Sequence, residues 1–518
     1  MPEQKVTHRQ WLAVMGAMLG AFMAVLDIQI TNSSLNDIAG ALGCSLDEGS
    51  WISTAYLVAE IIVIGTTAWL ARVFSLKRYL LFSVVTFVFF SLMCAFATNL
   101  NMMIVGRALQ GLTGGALIPL AFTVNILILP PSMRPMGNAI FAMTATFAPA
   151  IGPTIGGWLT DNYGWQWIFF INVIPGVIMF ILLAEYLDCK DEMNLDLLKD
   201  GDYIGIFCMA LGLGSLEYVL EEGERKDWFG NPLIRNFAII AVIFIVLFIW
   251  RELTAKKPFV NLRVLSHRSF TLSTLILAAL GLALYGTVYL IPVYLAQIQG
   301  YSPLQIGLTL MWVGLPQLVL LPFVPKLMKM FDPRIIAGVG LALFGVSCFI
   351  DGFLDPDFGM DQFRFSNIIR ALGQPLIFVP LLSMSTEGIS PSEAGSASAV
   401  FNMGRNIGGS VGIAMLSTIV TQREHLHSVH LGEWVTTYTP AVRARVNEYQ
   451  QLFESKGIDA GTAHGYALTA LNHQVQNNAY LMAYSDAFLC IGAALFMAIG
   501  ALFLMPKSQS GGAVAAGH

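Results

Sequence analysis

The sequence is short of charge. Lys, Arg, Asp and Glu together make up 12% of its 518 residues, against 56% hydrophobic ones, a ratio that no ordinary soluble domain shows. The net charge of -5 is spread along the chain, which excludes a basic stripe for nucleic acid and an acidic tail. The cysteines, Cys44, Cys94, Cys189, Cys208, Cys348 and Cys490, are scattered and mostly lie in or beside apolar runs. They offer no disulfide framework and no metal-ligand spacing. No G-x-x-x-x-G-K-[ST] stretch occurs, so the usual phosphate cradle is missing and ATP is not expected as an energy source. No small-residue cleavage pattern follows the polar start Met1 to Gln10, and the first apolar span reads as an uncleaved signal-anchor.

What the chain has in abundance is apolar length. Mean hydropathy is +0.66, and about twenty mostly apolar residues cross a bilayer. Fourteen spans are expected: Trp11 to Ile30, Trp51 to Ala71, Tyr79 to Ala97, Met102 to Leu129, Met136 to Leu159, Trp167 to Leu187, Tyr203 to Leu220, Asn236 to Trp250, Phe270 to Gln297, Leu304 to Val324, Arg334 to Gly352, Phe365 to Met384, Ala394 to Val420 and Tyr480 to Met505. The fold class is an all-α polytopic membrane protein. With both termini cytoplasmic, the inner loops hold Lys5, Arg9, Arg72, Lys77, Arg78, Arg134, Lys190, Lys199, Arg251, Lys256, Lys257, Arg263, Arg268, Lys326, Lys329, Arg334 and Lys507. The short outer loops hold only Arg225, Lys226, Arg235 and Arg364, the asymmetry that cytoplasmic loops impose.

Two sets of six spans repeat, with the seventh and eighth inserted between them. Residues 1-190 form the first bundle, 191-262 the insert and 263-518 the second bundle. Arg107-Ala-Leu-Gln110-Gly111 in the fourth span matches Arg370-Ala-Leu-Gly373-Gln374 in the twelfth, and basic loops at 72-78 and 326-334 occupy equivalent places. The fifth span carries Ala148-Pro149-Ala150-Ile151-Gly152-Pro153-Thr154-Ile155-Gly156-Gly157; the thirteenth carries Gly404, Gly408, Gly409 and Gly412. Proline bends a helix and glycines let a neighbour approach closely. Pro149, Gly152, Pro153, Gly156 and Gly157 are therefore expected to form a gate and hinge, facing the Gly404 to Gly412 segment of the other half. Parallel repeats of this kind belong to transporters that rock one bundle against the other.

These motifs resemble a known family. Arg107 to Gly115 looks like the fourth-helix motif of the major facilitator superfamily, and Ala148 to Gly157 like its fifth-helix antiporter motif with alanine in place of the first glycine. Leu26-Asp27-Ile28-Gln29-Ile30-Thr31-Asn32 is similar to the first-helix motif of the fourteen-helix drug:proton antiporters, the EmrB/QacA type. Asp161 to Trp165 and Phe169 to Asn172 resemble the segment leading into helix six of that group. The long loop before the last helix looks like the EmrB side of it. The chain departs at Ala68 to Leu76, where the acidic residue and second glycine of the loop between helices two and three are missing. The resemblance implies the major facilitator fold and antiport driven by the proton motive force, without a cofactor. It also implies a place in the bacterial inner membrane, with a periplasmic adaptor (EmrA-like) and an outer-membrane channel (TolC-like) as partners.

Ionisable residues inside a bilayer are costly enough to mark function. Asp27 and Arg107 lie at similar depth and can pair, either to couple protons or to tie two helices together. Glu60, near the middle of its span, is expected to carry the proton, bind a cationic drug or bond across helices. Arg405, beside Asn402 and Asn406, suits an anionic substrate, a carboxylate partner or a packing role; Arg370, nearer the end of its span, is expected to snorkel to water. A pocket for greasy substrates draws on Phe22, Met23, Tyr285, Tyr289, Tyr294, Trp312, Phe401 and Met403, with Gln29, Asn32, Asn125, Gln297, Gln317 and Asn402 as polar points. His425, His427 and His430 read as a solvated group, and no metal site or catalytic constellation is expected. The outer segment 421-479, with Trp434, Tyr438, Tyr449 and a helix-like run from Pro440 to Lys456, reads as an idle hairpin or as a docking surface. The leading expectation is a proton-coupled exporter of hydrophobic and amphipathic toxic compounds. The alternatives are a dedicated transporter of one metabolite and, from another class, a membrane-embedded enzyme or receptor.

Overall fold

The structure, a computed structural model, describes residues 6–188, 193–199, 201–255, 258–386, 389–390 and 393–506. Lys5, Cys189, Lys190, Lys256, Lys257 and Lys507 lie outside them. Among the described residues, 13 helices are long and apolar enough to cross a membrane. Joined by one more long helix, they run α1 His8–Ser33, α2 Trp51–Phe74, α3 Leu76–Ala95, α4 Leu100–Ile128, α5 Arg134–Tyr163, α6 Trp167–Tyr186 and α7 Tyr203–Glu222. Then follow α8 Pro232–Thr254, α9 Arg268–Gln297, α10 Pro303–Met330, α11 Pro333–Asp351, α12 Met360–Thr386, α13 Ala394–Trp434 and α14 Ala460–Phe503. The helix outside the 13 is α13, where Asn402, Arg405, Asn406 and the glycine run dilute the apolar content that the sequence expectation of fourteen spans assumed. With the fourteen helices alternating in direction, α1 begins and α14 ends on one face.

Local chemistry starts these helices where they start. Thr7 with Gln10, and Ser302 with Gln305, form capping boxes at α1 and α10, and Asn99, Asp202, Asn231 and Asp459 cap α4, α7, α8 and α14. Each cap satisfies backbone amides that have no carbonyl partner in the first turn. Burial then separates centre from rim. The most apolar windows of α1, α4 and α12 are 72% buried and that of α8 only 17%, although Val242, Val246 and Trp250 of α8 lie on its exposed side. An apolar helix left uncovered is stable only where lipid is the solvent.

Helix contacts repeat between the halves. The fifth helix of each half packs on the first helix of its own half. In the first, Gly152 rests on Gln29, and Gly156 on Ile30 and Ser33, all of α1; in the second, Gly408 and Gly412 rest on Ala278 and Leu282 of α9. A Cβ at Gly412 would stand 2.7 Å from Leu282 Cα, so only glycine admits the approach. This corrects the expected partnership: the α5 stretch does not face Gly404 to Gly412. Its partner across the halves is α10, where a Cβ on Gly157 would stand 3.0 Å from Pro303 Cβ. The helix runs unbroken through Pro149 and Pro153, because α1 and α10 clamp it on both sides. On the face where α1 begins and α14 ends the halves meet through aromatic rings, Phe122 stacked on Phe401 at 5.9 Å and Phe141 tilted against Phe378 at 6.3 Å. Asn138 donates to Ser383 and Ser398 to the Pro119 carbonyl at the same level.

The segment 421-479 is no loose loop. α13 and α14, at 41 and 44 residues, are each over 60 Å long at about 1.5 Å per residue, roughly twice the hydrocarbon thickness. They continue beyond the far face as a hairpin crossed by a helix at Pro440–Ser455. Arg423 and His427 of α13 both hold Asp486 of α14, at 2.6 and 2.8 Å. His427 is thus a strut of the hairpin, not a solvated group.

Candidate functional site

Among the described residues, three of the buried charged clusters lie where the sequence candidates gather. In the first half, α1 and α4 bring Asp27 and Arg107 together at 2.5 Å, each 1% exposed. Arg107 Nη1 also donates to Gln110, and its Nε to the Ile52 carbonyl. The guanidinium lies 4.2 Å from the Tyr56 ring centroid. Asp27 Oδ1 accepts from Gln110 at 3.0 Å and from Asn172 at 2.6 Å, and Asn172 is held in turn by Ser91. Every oxygen of this carboxylate therefore faces a donor, the condition under which a buried ion pair is tolerated. Gln110 and Asn172 stood in the quoted motifs without a role; what the sequence lacked was the helix neighbourhood that aims both at Asp27.

The second half keeps the arginine and moves the acid. Arg370 of α12 is 1% exposed and pairs with Asp351 at the end of α11, with Asn367 as a further acceptor at 3.0 Å. The expectation that Arg370 snorkels is corrected: α11 closes over it with Gly340 against Gly373, so water is out of reach and the partner is internal. Asp351 went unnoticed because its equivalent in the first half sits on a different helix. The pair is less complete than its counterpart, since Asp351 Oδ1 and Arg370 Nε have no hydrogen-bond partner.

The third cluster lies in the seam between the halves, where α2, α7, α9 and α13 meet. Glu60, 2% exposed, accepts one long hydrogen bond from Asn406 at 3.4 Å, which joins the two halves. Arg405, 4% exposed, donates to Asn406 at 3.3 Å and leaves its Nε unpartnered. Asn402 Oδ1 is unpartnered too. Tyr285 of α9 interacts electrostatically with Arg405 and Glu60. Glu217 of α7 reaches the same seam and accepts from Ser410 at 2.6 Å; the sequence reading had no place for it, although an acid inside an apolar helix was signal enough. The seam is thus a buried cluster with unmet hydrogen-bonding capacity, whereas the Asp27 cluster is saturated.

The remaining candidates are dispersed. Gln29 is buried against Gly152. Asn32 sits at the end of α1 and accepts from Ser53 at 2.6 Å. Gln317 bonds Gln374 across α10 and α12 at 2.7 Å. Tyr289, one turn beyond Tyr285, interacts with Glu221 and Glu224. A cavity of about 500 Å³ opens on the flank of the first half, lined by Ile62, Val63, Thr66, Leu112, Thr113 and Tyr79 among others.

Two halves repeated in sequence and packing, joined across a charged seam, agree with what the sequence matches: residues 17–413 fit the model of the Major Facilitator Superfamily. The chain belongs to the major facilitator superfamily. It is 33% identical over 501 residues to the colistin resistance protein EmrB of Acinetobacter baumannii, covering 96% of this chain and 97% of that one. To the multidrug export protein EmrB of Escherichia coli K12 it is 30% identical over 522 residues, the full length of both. To the fatty acid resistance protein FarB of Neisseria gonorrhoeae it is 30% identical over 499 residues, 95% of this chain and 96% of that one. Among solved structures, the human organic anion transporter MFSD10 (TETRAN) superposes with a TM-score of 0.58 at 12% identity, over 95% of this chain and 99% of the other, a likeness of fold alone. This major facilitator chain is accordingly a multi-pass membrane protein.

Proposed function

We propose that this chain is a proton-coupled multidrug exporter of the bacterial inner membrane, with both termini cytoplasmic, which expels hydrophobic and amphipathic toxic compounds in exchange for inward protons. The observation that carries the coupling is Glu60: a carboxylate buried in the seam, bonded across the halves through a single long contact to Asn406. A proton arriving there changes the charge in the seam and the grip of one half on the other, which is the link that alternating access requires. Asp27 and Arg107 act in this reading as the fixed clamp that keeps α1 and α4 together. The relatives named for resistance to colistin, to fatty acids and to multiple drugs support the substrate class. Compounds dissolved in the bilayer have a route to the first half through its flank cavity.

The hairpin beyond the far face gives the reading its partners. Trp434 and Tyr438 are 78% and 89% exposed at its tip, a placement suited to a periplasmic adaptor of the EmrA kind leading to a TolC-like channel. A second reading, a dedicated carrier of one anionic metabolite, is favoured by the unpartnered Nε of Arg405.

Everted vesicles test the main reading. Adding a transported drug to vesicles with an acid interior should release protons, and Glu60→Gln should remove that flux by about a hundredfold. Drug transport without proton movement, or Glu60→Gln behaving as wild type, rejects it. A panel in which one metabolite alone is moved decides for the second reading.

A further inference from the structure

We infer that α7, one of the two helices inserted between the halves, and the turn that follows it form the proton path: Glu217, Glu221 and Glu224 hand protons between the far face and Glu60. The inference rests on the exchanger reading and adds to it the route the proton takes.

A carboxylate buried in the seam needs contact with water on one side if it is to load and unload. Glu217 and Glu221, four apart, lie on one side of α7, and Glu224 follows in the turn just past its last residue, Glu222. That side faces α13. Ser410 donates to Glu217 at 2.6 Å, and Thr421, three helical turns further out, donates to Glu224 at 2.7 Å. From Glu217 to Glu221 the row covers about 6 Å along the α7 axis at about 1.5 Å per residue, and it leads from the buried Glu217 to the partly exposed Glu224 in the turn beyond. The charges of Glu221 and Glu60 both act on Glu217. From α9, Tyr285 interacts electrostatically with Glu217 and Glu60, and Tyr289 with Glu221 and Glu224. Arg405 of α13 supplies the fixed positive charge at the inner end.

A second observation separates this row from a mere acidic face. Glu217 is 3% exposed, and while one of its oxygens is bonded by Ser410, Oε2 has no partner at all. A buried carboxylate oxygen without a donor is costly, and a proton in transit is the group that fills it. Neighbouring Glu222 points elsewhere: Ser50 and Thr54 at the start of α2 donate to its Oε1, and Lys226 of the turn after α7 pairs with it. Inserting two helices between bundles thus has a use beyond lengthening the chain.

The test compares driven transport with passive exchange in proteoliposomes, using ethidium as a cationic probe and oleate as an anionic one. Glu217→Gln should lower pH-gradient-driven movement of either probe by about tenfold or more, leave gradient-free exchange at the wild-type level, and delete a protonated-carboxyl band from the infrared titration of the purified protein. Glu217→Asp should recover part of the driven transport, and Glu448→Gln, an exposed acid on the hairpin, should change nothing. Should Glu217→Gln fail to fold, Glu221→Gln must give the same split. Wild-type driven transport in these variants overturns the path, as does loss of ethidium exchange in step with driven transport, which makes Glu217 a cation site. If wild type itself moves no probe on a pH gradient, the exchanger reading falls and the path with it, an outcome distinct from driven transport that survives Glu217→Gln.

Discussion

Asp27 and Glu60 are both carboxylates buried in the first half, 1% and 2% exposed, yet they stand in opposite surroundings. Asp27 is met by Arg107, Gln110 and Asn172 within 3.0 Å. Glu60 has one bond at 3.4 Å, and that bond crosses to the other half. A saturated carboxylate is a fastener, since each donor that holds it also occupies a place a proton would take. An unsaturated one between two moving bodies is where a change of charge can be felt by both. Depth in the membrane marks a residue as consequential; the number of donors around it decides for what.

The largest effect that can break this contrast is on stability. Arg107→Ala leaves Asp27 buried without its cation and should cost about 3–5 kcal/mol, read as a lower melting temperature in detergent. Arg405→Ala removes a guanidinium that is itself poorly satisfied and should cost no more than about 1 kcal/mol, while still impairing transport. Equal losses in the two variants would erase the distinction between fastener and switch. An intermediate effect is expected from Gly156→Leu, which pushes a side chain into Ile30 and Ser33 of α1. It should abolish transport and lower stability by about 1–3 kcal/mol while leaving membrane insertion intact. Full transport in that variant removes the α5 stretch from the moving parts.

The smallest expected effect is at the turn between α2 and α3. Ser75 has φ 70 where the family pattern has its second glycine, a conformation that costs a residue with a Cβ about 1 kcal/mol or more. Ser75→Gly should therefore raise the melting temperature, by about 1 kcal/mol of stability. No gain would mean that the turn relaxes in solution. The missing glycine was visible as a departure from a motif, but its strain belongs to the backbone.

Residue type, motif and period thus carried the membrane class, the repeat, the helix positions and the buried ionisable residues, since each depends on a stretch of chain shorter than one helix. Asp27, Glu60, Arg107 and Arg405 could be singled out because charge in an apolar run is expensive wherever the run is placed. Helix neighbourhood was beyond reach of such arguments. That α5 lies on α1 and α10 instead of facing α13 follows from how glycine faces interlock across three helices. That Arg370 meets Asp351 follows from α11 lying over α12. That Glu217 enters the seam follows from an insert wedged against α2 and α13. The sequence alone determined which groups are too costly to bury without a reason; the tertiary structure decided which of them are compensated, because compensation is a matter of distances between helices far apart in the chain.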